Sequence, residues 1–138
     1  MTERQANEER LHQAAVEVMA RAYAPYSNFR VGAALLGVDG RIFTGCNVEN
    51  AAYPSGMCAE RAAVCAAVAQ GAREFAMLAV ATEAPEPTTP CGFCRQVLVE
   101  FAPTLTIISA GRDGVLARYS LAELLPHAFT PASLPTAG

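Results

Sequence analysis

The stretch "FAMLAVATEAPEPTTPCGFCRQVLVEFAPTLTIISAG" (residues 75–111) contains two apolar runs joined by a loop and a helical segment. The runs 75–82 and 104–111 have the length and apolar character of buried strands. The proline-rich segment 83–90 predicts a loop, because proline cannot continue a helix or a central strand. Residues 91–101 predict a helix. Two strands joined through a helix predict a parallel pair with a right-handed crossover.

Upstream of this unit, the sequence predicts a helix followed by a β-hairpin. Apolar residues within 3–22 recur at steps of four, three and four, which is typical of an amphipathic helix. The runs 29–38 and 41–50 are compatible with strands. They are separated by Asp39-Gly40, which suits a tight turn because both central residues can take positive φ. We therefore expect an antiparallel pair here.

Two more helices and a last strand complete the pattern. Residues 58–70 are rich in Ala and Val and stop at Gly71, a residue suited to a left-handed helix end. The run "VLARY" (115–119) predicts a fifth strand, and "SLAELL" (120–125) begins a helix with Ser120 as its N-cap. Because only a short "RDG" turn separates the fourth and fifth strands, we expect them to be antiparallel.

These elements predict an α/β fold, a three-layer α/β/α sandwich in which helices cover both faces of a mixed five-stranded sheet. The chain has 138 residues, of which 52% are hydrophobic and 17% charged, as in a globular protein with a real core. No linker or repeat divides it. We expect a single domain over residues 1–138.

Charge and hydropathy exclude several partners. A net charge of −3 without a basic run argues against nucleic acid, whose binding depends on Lys and Arg facing phosphates. No apolar run reaches the roughly 18 residues of a membrane span. The polar start "MTERQANEER" does not resemble a signal peptide, so we expect a cytoplasmic protein with reduced thiols. The low net charge favours a small, nearly neutral ligand. Five cysteines, an odd number, disfavour a disulfide framework and favour metal binding or catalysis.

Cys91 and Cys94 lie three residues apart at the start of a predicted helix, close enough to share a tetrahedral ion. Alone, this spacing also fits a redox pair or two packed thiols. Cys58 adds a third thiol at the start of another helix. Catalytic zinc sites typically hold three protein ligands and leave the fourth position to water. His12 and His127, near the two ends of the chain, do not suggest a fourth ligand.

Helix N-termini favour thiolates, because unpaired N–H groups and the positive end of the dipole stabilise negative sulfur. Three thiolates on Zn²⁺ still leave a site charge of −1. Arg61 is the nearest cation in the sequence and is our candidate for charge balance, although a solvated helix arginine is the alternative.

Glu60 also lies at a helix start, where a carboxylate can simply stabilise the helix dipole. Beside an open zinc site it is instead placed to move protons between water and substrate. Residues two apart inside a helix point about 200° away from each other, at roughly 100° per residue. Cys58 and Glu60 can therefore face one ion only if Cys58 lies at the cap or first position. Cys65, two turns further along, would be too far away to join it.

The pattern C-A-E followed by P-C-x-x-C resembles the zinc-dependent nucleoside deaminases. Four stretches in order carry the likeness: "YAPYSNFRVGAALL", "GRIFTGCNVENAAYPSGMCAERAAV", "PCGFCRQVL" and "ELLPHAF". Together they resemble the small, homotetrameric branch of the cytidine/deoxycytidylate deaminase family. A cysteine rather than a histidine as first ligand fits that branch.

The resemblance implies that Cys58, Cys91 and Cys94 hold one Zn²⁺ per chain and that an activated water attacks C4 of cytosine. Glu60 would protonate N3 and then carry a proton to the departing amine, converting cytidine or deoxycytidine to the uracil nucleoside and ammonia. It also implies a homotetramer with active sites near subunit interfaces.

The resemblance further implies the substrate contacts. They are Phe29 (stacking on the base), Asn47 and Glu49 (on the ribose hydroxyls), Ala51, Tyr53, Ala59 and Phe129. Tyr53, Ala51 and Phe129 would approach from a neighbouring subunit. Without the motif, Phe29 would be read as core and Asn47 with Glu49 as a turn after a strand. Cys46 and Cys65 have no role in the pattern, and we expect both to be packed thiols.

Rival functions remain at this point. A deaminase of another small cytosine compound, such as blasticidin S, would share the zinc motif but not the ribose-reading "NVEN". Polynucleotide deaminases need a basic surface, and their last strands resemble a parallel pair with an intervening helix. A scaffold with purely structural zinc, or a thiol-disulfide enzyme using Cys91 and Cys94, comes from a different class.

Overall fold

In the computed structural model, which describes residues 1–114 and 116–135, five strands form one sheet in the order β2-β1-β3-β4-β5. The helices are α1 (Glu3–Met19), α2 (Ala59–Ala69), α3 (Gly92–Phe101) and α4 (Leu121–Leu124). The strands are β1 (Val31–Gly37), β2 (Ile42–Cys46), β3 (Phe75–Thr82), β4 (Thr106–Ala110) and β5 (Leu116–Ser120). Short 3₁₀ turns span Tyr53–Ser55 and Pro131–Ser133.

The strand directions confirm the predicted mixed sheet. β1 is antiparallel to both β2 and β3, β3 is parallel to β4 across the α3 crossover, and β4 is antiparallel to β5. Val115, the first residue of the predicted fifth strand, lies outside the described residues. The antiparallel end of the sheet is the arrangement that the short "RDG" turn predicted.

Helices cover both faces of the sheet, as expected for the α/β/α sandwich. Alternation along β1 sends Ala34 towards α1, where it joins Leu11 and Ile108 in one cluster. It sends Leu35 to the opposite face, where it joins a larger cluster with Leu98 of α3. Each fully buried leucine of this kind contributes roughly 1.5–3 kcal/mol.

Two glycines let the helices approach the sheet closely. A Cβ atom on Gly32 would lie 2.0 Å from the carbonyl oxygen of Ala15, and one on Gly45 would lie 2.4 Å from the backbone nitrogen of Ala63. Real side-chain carbons do not tolerate such distances. Gly45 therefore fixes how α2, which carries Glu60, lies on the sheet.

The turn between β1 and β2 differs from the prediction. Gly40 has φ 93°, but Asp39 does not have positive φ. The backbone nitrogen of Gly40 donates to the carbonyl of Gly37 over 3.0 Å, and the nitrogen of Gly37 donates to the carbonyl of Arg41 over 2.8 Å. The reversal thus uses three residues rather than two, with only its last residue in the left-handed region.

The first helix is shorter than its predicted range of 3–22. It ends at Met19, and Tyr23 already forms an isolated bridge with Val48. The nitrogen of Tyr23 donates to the carbonyl of Asn47 over 2.9 Å. This long-range backbone pairing competes with a further helical turn and explains the early end.

The expectation for the two cysteines without a role was wrong for Cys65, which is exposed, while Cys46 is half-buried. The buried positions of α2 are Ala59, Glu60, Ala63, Val64 and Ala67. Cys65 lies off this stripe and points to solvent.

None of the described helices combines the length and apolarity needed for a bilayer crossing.

Candidate metal centre and active site

Three thiols meet where α2 and α3 begin on the same face of the sheet. Cys58 is the N-cap of α2 and Cys91 the N-cap of α3, and neither side chain makes a capping hydrogen bond. Cys94 is the third residue of α3 and is buried. The helix start at Cys58 is the one that the Cys58–Glu60 spacing required, and the thiols lie in the field of two helix N-termini.

The distances within this group suit a tetrahedral ion. Cys58 Sγ lies 3.9 Å from Cys91 Sγ, and Cys91 Sγ lies 3.5 Å from Cys94 Sγ. All three sulfur atoms lie within 4.8 Å of one another. Zinc with Zn–S bonds of about 2.3 Å holds its sulfur ligands about 3.8 Å apart in a tetrahedron. The donor set therefore fits Zn²⁺.

The group contains three ligands and no fourth among the residues that the structure describes. Neither His12 nor His127 belongs to it, in agreement with their remote positions in the sequence. Three thiolates without a fourth protein ligand are the pattern of a catalytic rather than a closed structural zinc site.

Arg61 supplies positive charge at this centre. Its Nη2 atom lies 3.5 Å from Cys58 Sγ, and its guanidinium carbon lies over the ring of Phe93, 5.5 Å from the ring centroid. Hydrogen bonding lowers the pKa of the Cys58 thiol, with the larger effect from Cys94 and a smaller one from Arg61. Its hydrogen bond to Cys58, together with burial, raises the pKa of Cys94. The contact with Arg61 thus favours the thiolate form of Cys58.

The Nε atom of Arg61 is buried and has no hydrogen-bond partner within the described part of the chain. A solvated surface arginine would not bury a donor in this way. The arrangement favours the interpretation of Arg61 as a charge partner of the thiolates.

Glu60, the second residue of α2, is only 6% exposed. Burial raises the pKa of its carboxyl group to about 7, and the neighbouring Cys58 thiolate adds to this increase against the opposing effect of the helix backbone. A glutamate that served only to stabilise the helix start would be solvated and ionised. A carboxyl group that titrates near neutral pH can both accept and donate a proton.

A cavity of about 280 Å³ opens beside the thiols, and half of the predicted site residues line it. Its lining includes Phe29, Asn47, Glu49, Cys58, Glu60 and Cys91. Six further residues complete the lining and were not singled out from the sequence: Ser27, Val31, Val80, Thr82, Thr88 and Thr89. The cavity therefore brings together two thiols, a neutral-titrating carboxyl group, an aromatic ring and two polar side chains from distant parts of the chain.

Asn47 is fixed in place by the start of β1. Its Oδ1 accepts from the backbone nitrogen of Val31 over 2.8 Å, and its Nδ2 donates to the carbonyl of Phe29 over 2.8 Å. One N–H of the amide remains available to a ligand. Asn47 thus holds the Phe29 backbone and offers a single donor.

Glu49 is held by the loop before β1. Its Oε1 accepts from the backbone nitrogens of Tyr26 (2.9 Å) and Ser27 (3.1 Å), and its Oε2 accepts from the Ser27 hydroxyl. The hydrogen bond from the Ser27 hydroxyl lowers the pKa of Glu49 most, and the backbone donors lower it further. The group is an ionised acceptor at neutral pH.

Other predicted contacts lie outside this cavity. Tyr53 is 76% exposed and lines an adjoining cavity of about 390 Å³, while Phe129 is 57% exposed. Ala51 is exposed, and Ala59 is fully buried as the first residue of α2. A single chain therefore does not bring Ala51, Tyr53 and Phe129 to the ligand cavity.

Arg95 is a residue that the sequence reasoning missed. Its Nε donates to the carbonyl of Pro90 (2.7 Å), its Nη2 to Thr89 Oγ1 (2.9 Å) and its Nη1 to the carbonyl of Leu124 (2.8 Å). It ties the segment that leads into Cys91 to the C-terminal helix. Its position directly after the second cysteine of "PCGFCR" was the available signal.

A thiolate centre open to a ligand cavity, with a neutral-titrating carboxyl group beside it, defines a zinc-dependent hydrolytic enzyme. The family model for the cytidine and deoxycytidylate deaminase zinc-binding region matches residues 5–110. The chain belongs to this family of zinc-dependent deaminases.

Relatives and solved structures agree with this assignment. The chain is 46% identical to a cytidine deaminase of Sporosarcina psychrophila over 115 residues, covering 83% of this chain and 85% of the relative. It is 44% identical to a cytidine deaminase of Mycobacterium tuberculosis over 121 residues, covering 88% of each. The crystal structure of cytidine deaminase from Burkholderia pseudomallei superposes with a TM-score of 0.85 at 47% identity, covering 94% of this chain and all of that one. These likenesses give no support to blasticidin S as the substrate.

Proposed function

We propose that this protein catalyses the hydrolytic deamination of cytidine and deoxycytidine: the nucleoside and water give uridine or deoxyuridine and ammonia. The observation that carries the proposal is the position of Glu60, buried in the same cavity as Cys58 and Cys91 with its pKa raised to about 7. This carboxyl group can accept and then donate a proton at neutral pH, as the reaction requires.

Cys58, Cys91 and Cys94 would hold the zinc ion, because their sulfur atoms have the separations and the chemistry of a three-thiolate zinc site. Bound zinc supplies Lewis acidity that lowers the pKa of water, so that a nucleophile is available at neutral pH. Arg61 would offset the net negative charge of the three thiolates.

Glu60 would act twice. As a carboxylate it takes a proton from the attacking water and delivers it to N3 of the pyrimidine, and it then carries the second proton to the departing amine. The C4–N bond breaks as ammonia leaves, and the C4 carbonyl of the uracil product forms. Burial of Glu60 supports this role, because water competes poorly for its protons at 6% exposure.

The polar groups at the other end of the cavity would read the ribose. Asn47 has one free N–H donor, and Glu49 is an ionised acceptor. A sugar hydroxyl can accept from the first and donate to the second at the same time. Phe29 would stack on the base beside them, and the fully buried Ala59 would contribute its backbone at the start of α2.

We also propose a homotetramer, with residues 1–138 as a single catalytic domain, as the family resemblance implied. The exposed aromatic side chains of Tyr53 and Phe129 support contacts that neighbouring subunits complete, as does the exposed Ala51. Native mass spectrometry of the purified protein should give a mass of four chains. A fully active monomer would contradict this part of the proposal.

A cytoplasmic location stays a prediction, supported by five free thiols.

The function itself is tested by mixing purified protein with cytidine, deoxycytidine or blasticidin S and following ultraviolet absorbance together with ammonia release. We expect stoichiometric ammonia from the two nucleosides. Turnover of blasticidin S alone, or of none of the three, would contradict the proposal.

A further inference from the structure

The Ser27 hydroxyl lies between two groups of the ligand cavity. It donates to Glu49 Oε2, and it accepts from the backbone nitrogen of Phe29 over 3.0 Å. Ser27 itself lines both the ligand cavity and the adjoining one. One hydroxyl therefore uses its donor on the proposed ribose acceptor and its acceptor on the backbone of the proposed stacking residue.

The backbone conformation at Asn28 explains the hydrogen bond between the Phe29 nitrogen and the Ser27 hydroxyl. Asn28 has φ 57°, and no other described non-glycine residue has positive φ. Its nitrogen donates to the carbonyl of Ala24 over 3.0 Å. A left-handed residue at this point turns the chain sharply between Ser27 and Phe29, so that the hydroxyl can reach the Phe29 nitrogen two residues on.

We infer that Ser27 is a positioning residue for substrate binding: its hydroxyl fixes the Glu49 carboxylate where it accepts a hydrogen bond from a ribose hydroxyl. The inference rests on the proposed function. Glu49 keeps its two backbone donors on Oε1 when the hydroxyl is removed, but Oε2 loses the Ser27 donor, so the carboxylate can tilt about Oε1 and Oε2 can bind water. Phe29 stays held through its carbonyl by Asn47.

The effect of Ser27 should accordingly depend on the sugar rather than the base. In Ser27→Ala we expect the KM for cytidine to rise about tenfold with kcat nearly unchanged, the size of one charge-assisted hydrogen bond partly lost. Ser27→Thr, which keeps the hydroxyl, should restore most of the affinity. Thr104→Ala removes an exposed hydroxyl at the opposite end of the sheet and serves as the matched control.

The deciding measurement compares two product-like inhibitors of cytidine deamination, uridine and 2′,3′-dideoxyuridine, which lacks both ribose hydroxyls. Ser27→Ala should weaken uridine about tenfold and the dideoxy compound about twofold or less. These constants do not depend on the fraction of folded enzyme, so partial unfolding does not obscure them. Equal weakening of both inhibitors, or of neither, would overturn the inference.

Glu49→Gln separates this inference from the function on which it rests. If wild-type protein deaminates cytidine and Glu49→Gln loses the preference for uridine over the dideoxy compound while Ser27→Ala keeps it, only the role of Ser27 is wrong. If Glu49→Gln also keeps the preference, the ribose contact and the role of Ser27 fall together. A wild-type protein without cytidine turnover would contradict the proposed function itself.

Discussion

Arg61 and Cys58 face each other across one turn of α2, with Nη2 and Sγ 3.5 Å apart. The contact places a fixed positive charge beside the Cys58 thiol and helps to lower its pKa. If the three thiols bind Zn²⁺ as thiolates, as we propose, including Arg61 would change the charge of the centre from −1 to zero. The relationship therefore links a helix side chain to the electronic character of the metal site.

Replacing this charge should impair catalysis more than folding. In Arg61→Gln we expect kcat to fall about tenfold or more, equivalent to at least about 1.4 kcal/mol, because the net charge of the centre is no longer balanced. Steady-state kinetics with zinc content per chain measures the effect. Arg61→Lys keeps the charge but loses the guanidinium contact with the Phe93 ring, so its kcat should lie between those of wild type and Arg61→Gln. Wild-type kcat in Arg61→Gln would show that the arginine is not a charge partner.

The contacts of Arg95 predict a different kind of defect. Lys has a single ammonium group and cannot serve the carbonyl of Pro90, the hydroxyl of Thr89 and the carbonyl of Leu124 together. In Arg95→Lys we expect a loss of about 1–3 kcal/mol in the free energy of unfolding. Because the segment before Cys91 loosens, zinc should also be released faster to a chelator.

Urea unfolding and the rate of zinc transfer to a chromogenic chelator measure these two effects. Arg10→Lys, on the exposed side of α1, is the matched control and should change neither. If unfolding and zinc release in Arg95→Lys match those of the control, Arg95 does not stabilise the segment before Cys91.

The pair formed by Glu8 and Arg118 predicts how stability depends on pH. Glu8 is 4% exposed and accepts from Arg118 Nε over 2.5 Å and from Nη2 over 2.6 Å. These hydrogen bonds lower the pKa of Glu8 below its usual value of 4.5. The stabilisation is therefore fully present above that usual value, which the unfolded chain has, and is lost as pH falls through the lower folded pKa.

Glu8→Gln should lower the free energy of unfolding at pH 7 by about 1 kcal/mol, since the Arg118 side chain is 49% exposed and solvent screens the pair. The difference between variant and wild type should shrink below about pH 4. Urea titrations at pH 7, 4 and 3 test this. Glu9→Gln, its exposed neighbour, provides the comparison, and a pH-independent difference for Glu8→Gln would contradict the linkage.

Much of the fold follows from local patterns. The apolar run 75–82 became β3 without a change of boundary, and the short turn after β4 settled its antiparallel pairing with β5. The start of α2 followed from geometry, because Cys58 and Glu60 can face one site only if the helix begins between them. Such features depend on residues near each other in sequence, which is why the sequence predicts them.

What could not be predicted depends on distant partners. The early end of α1 reflects the pairing of Tyr23 with the chain around Val48, 25 residues later by number. The triple contact of Arg95 involves Leu124, and Ser27 contacts Glu49, 22 residues further along the chain. Cys65 was expected to be packed because cysteine usually is. It is exposed instead, because it does not lie on the buried face of α2.

The proposed deamination depends most directly on Glu60, and Glu60→Gln removes its acid-base function with the shape of the side chain nearly preserved. The variant should fold, bind one zinc ion per chain and lose about 10²–10⁴-fold in kcat for cytidine, the usual contribution of a general acid-base group. Glu74→Gln, an exposed glutamate beyond α2, should match wild type in both measurements. A folded, zinc-loaded Glu60→Gln protein with wild-type cytidine turnover would contradict the proposed mechanism.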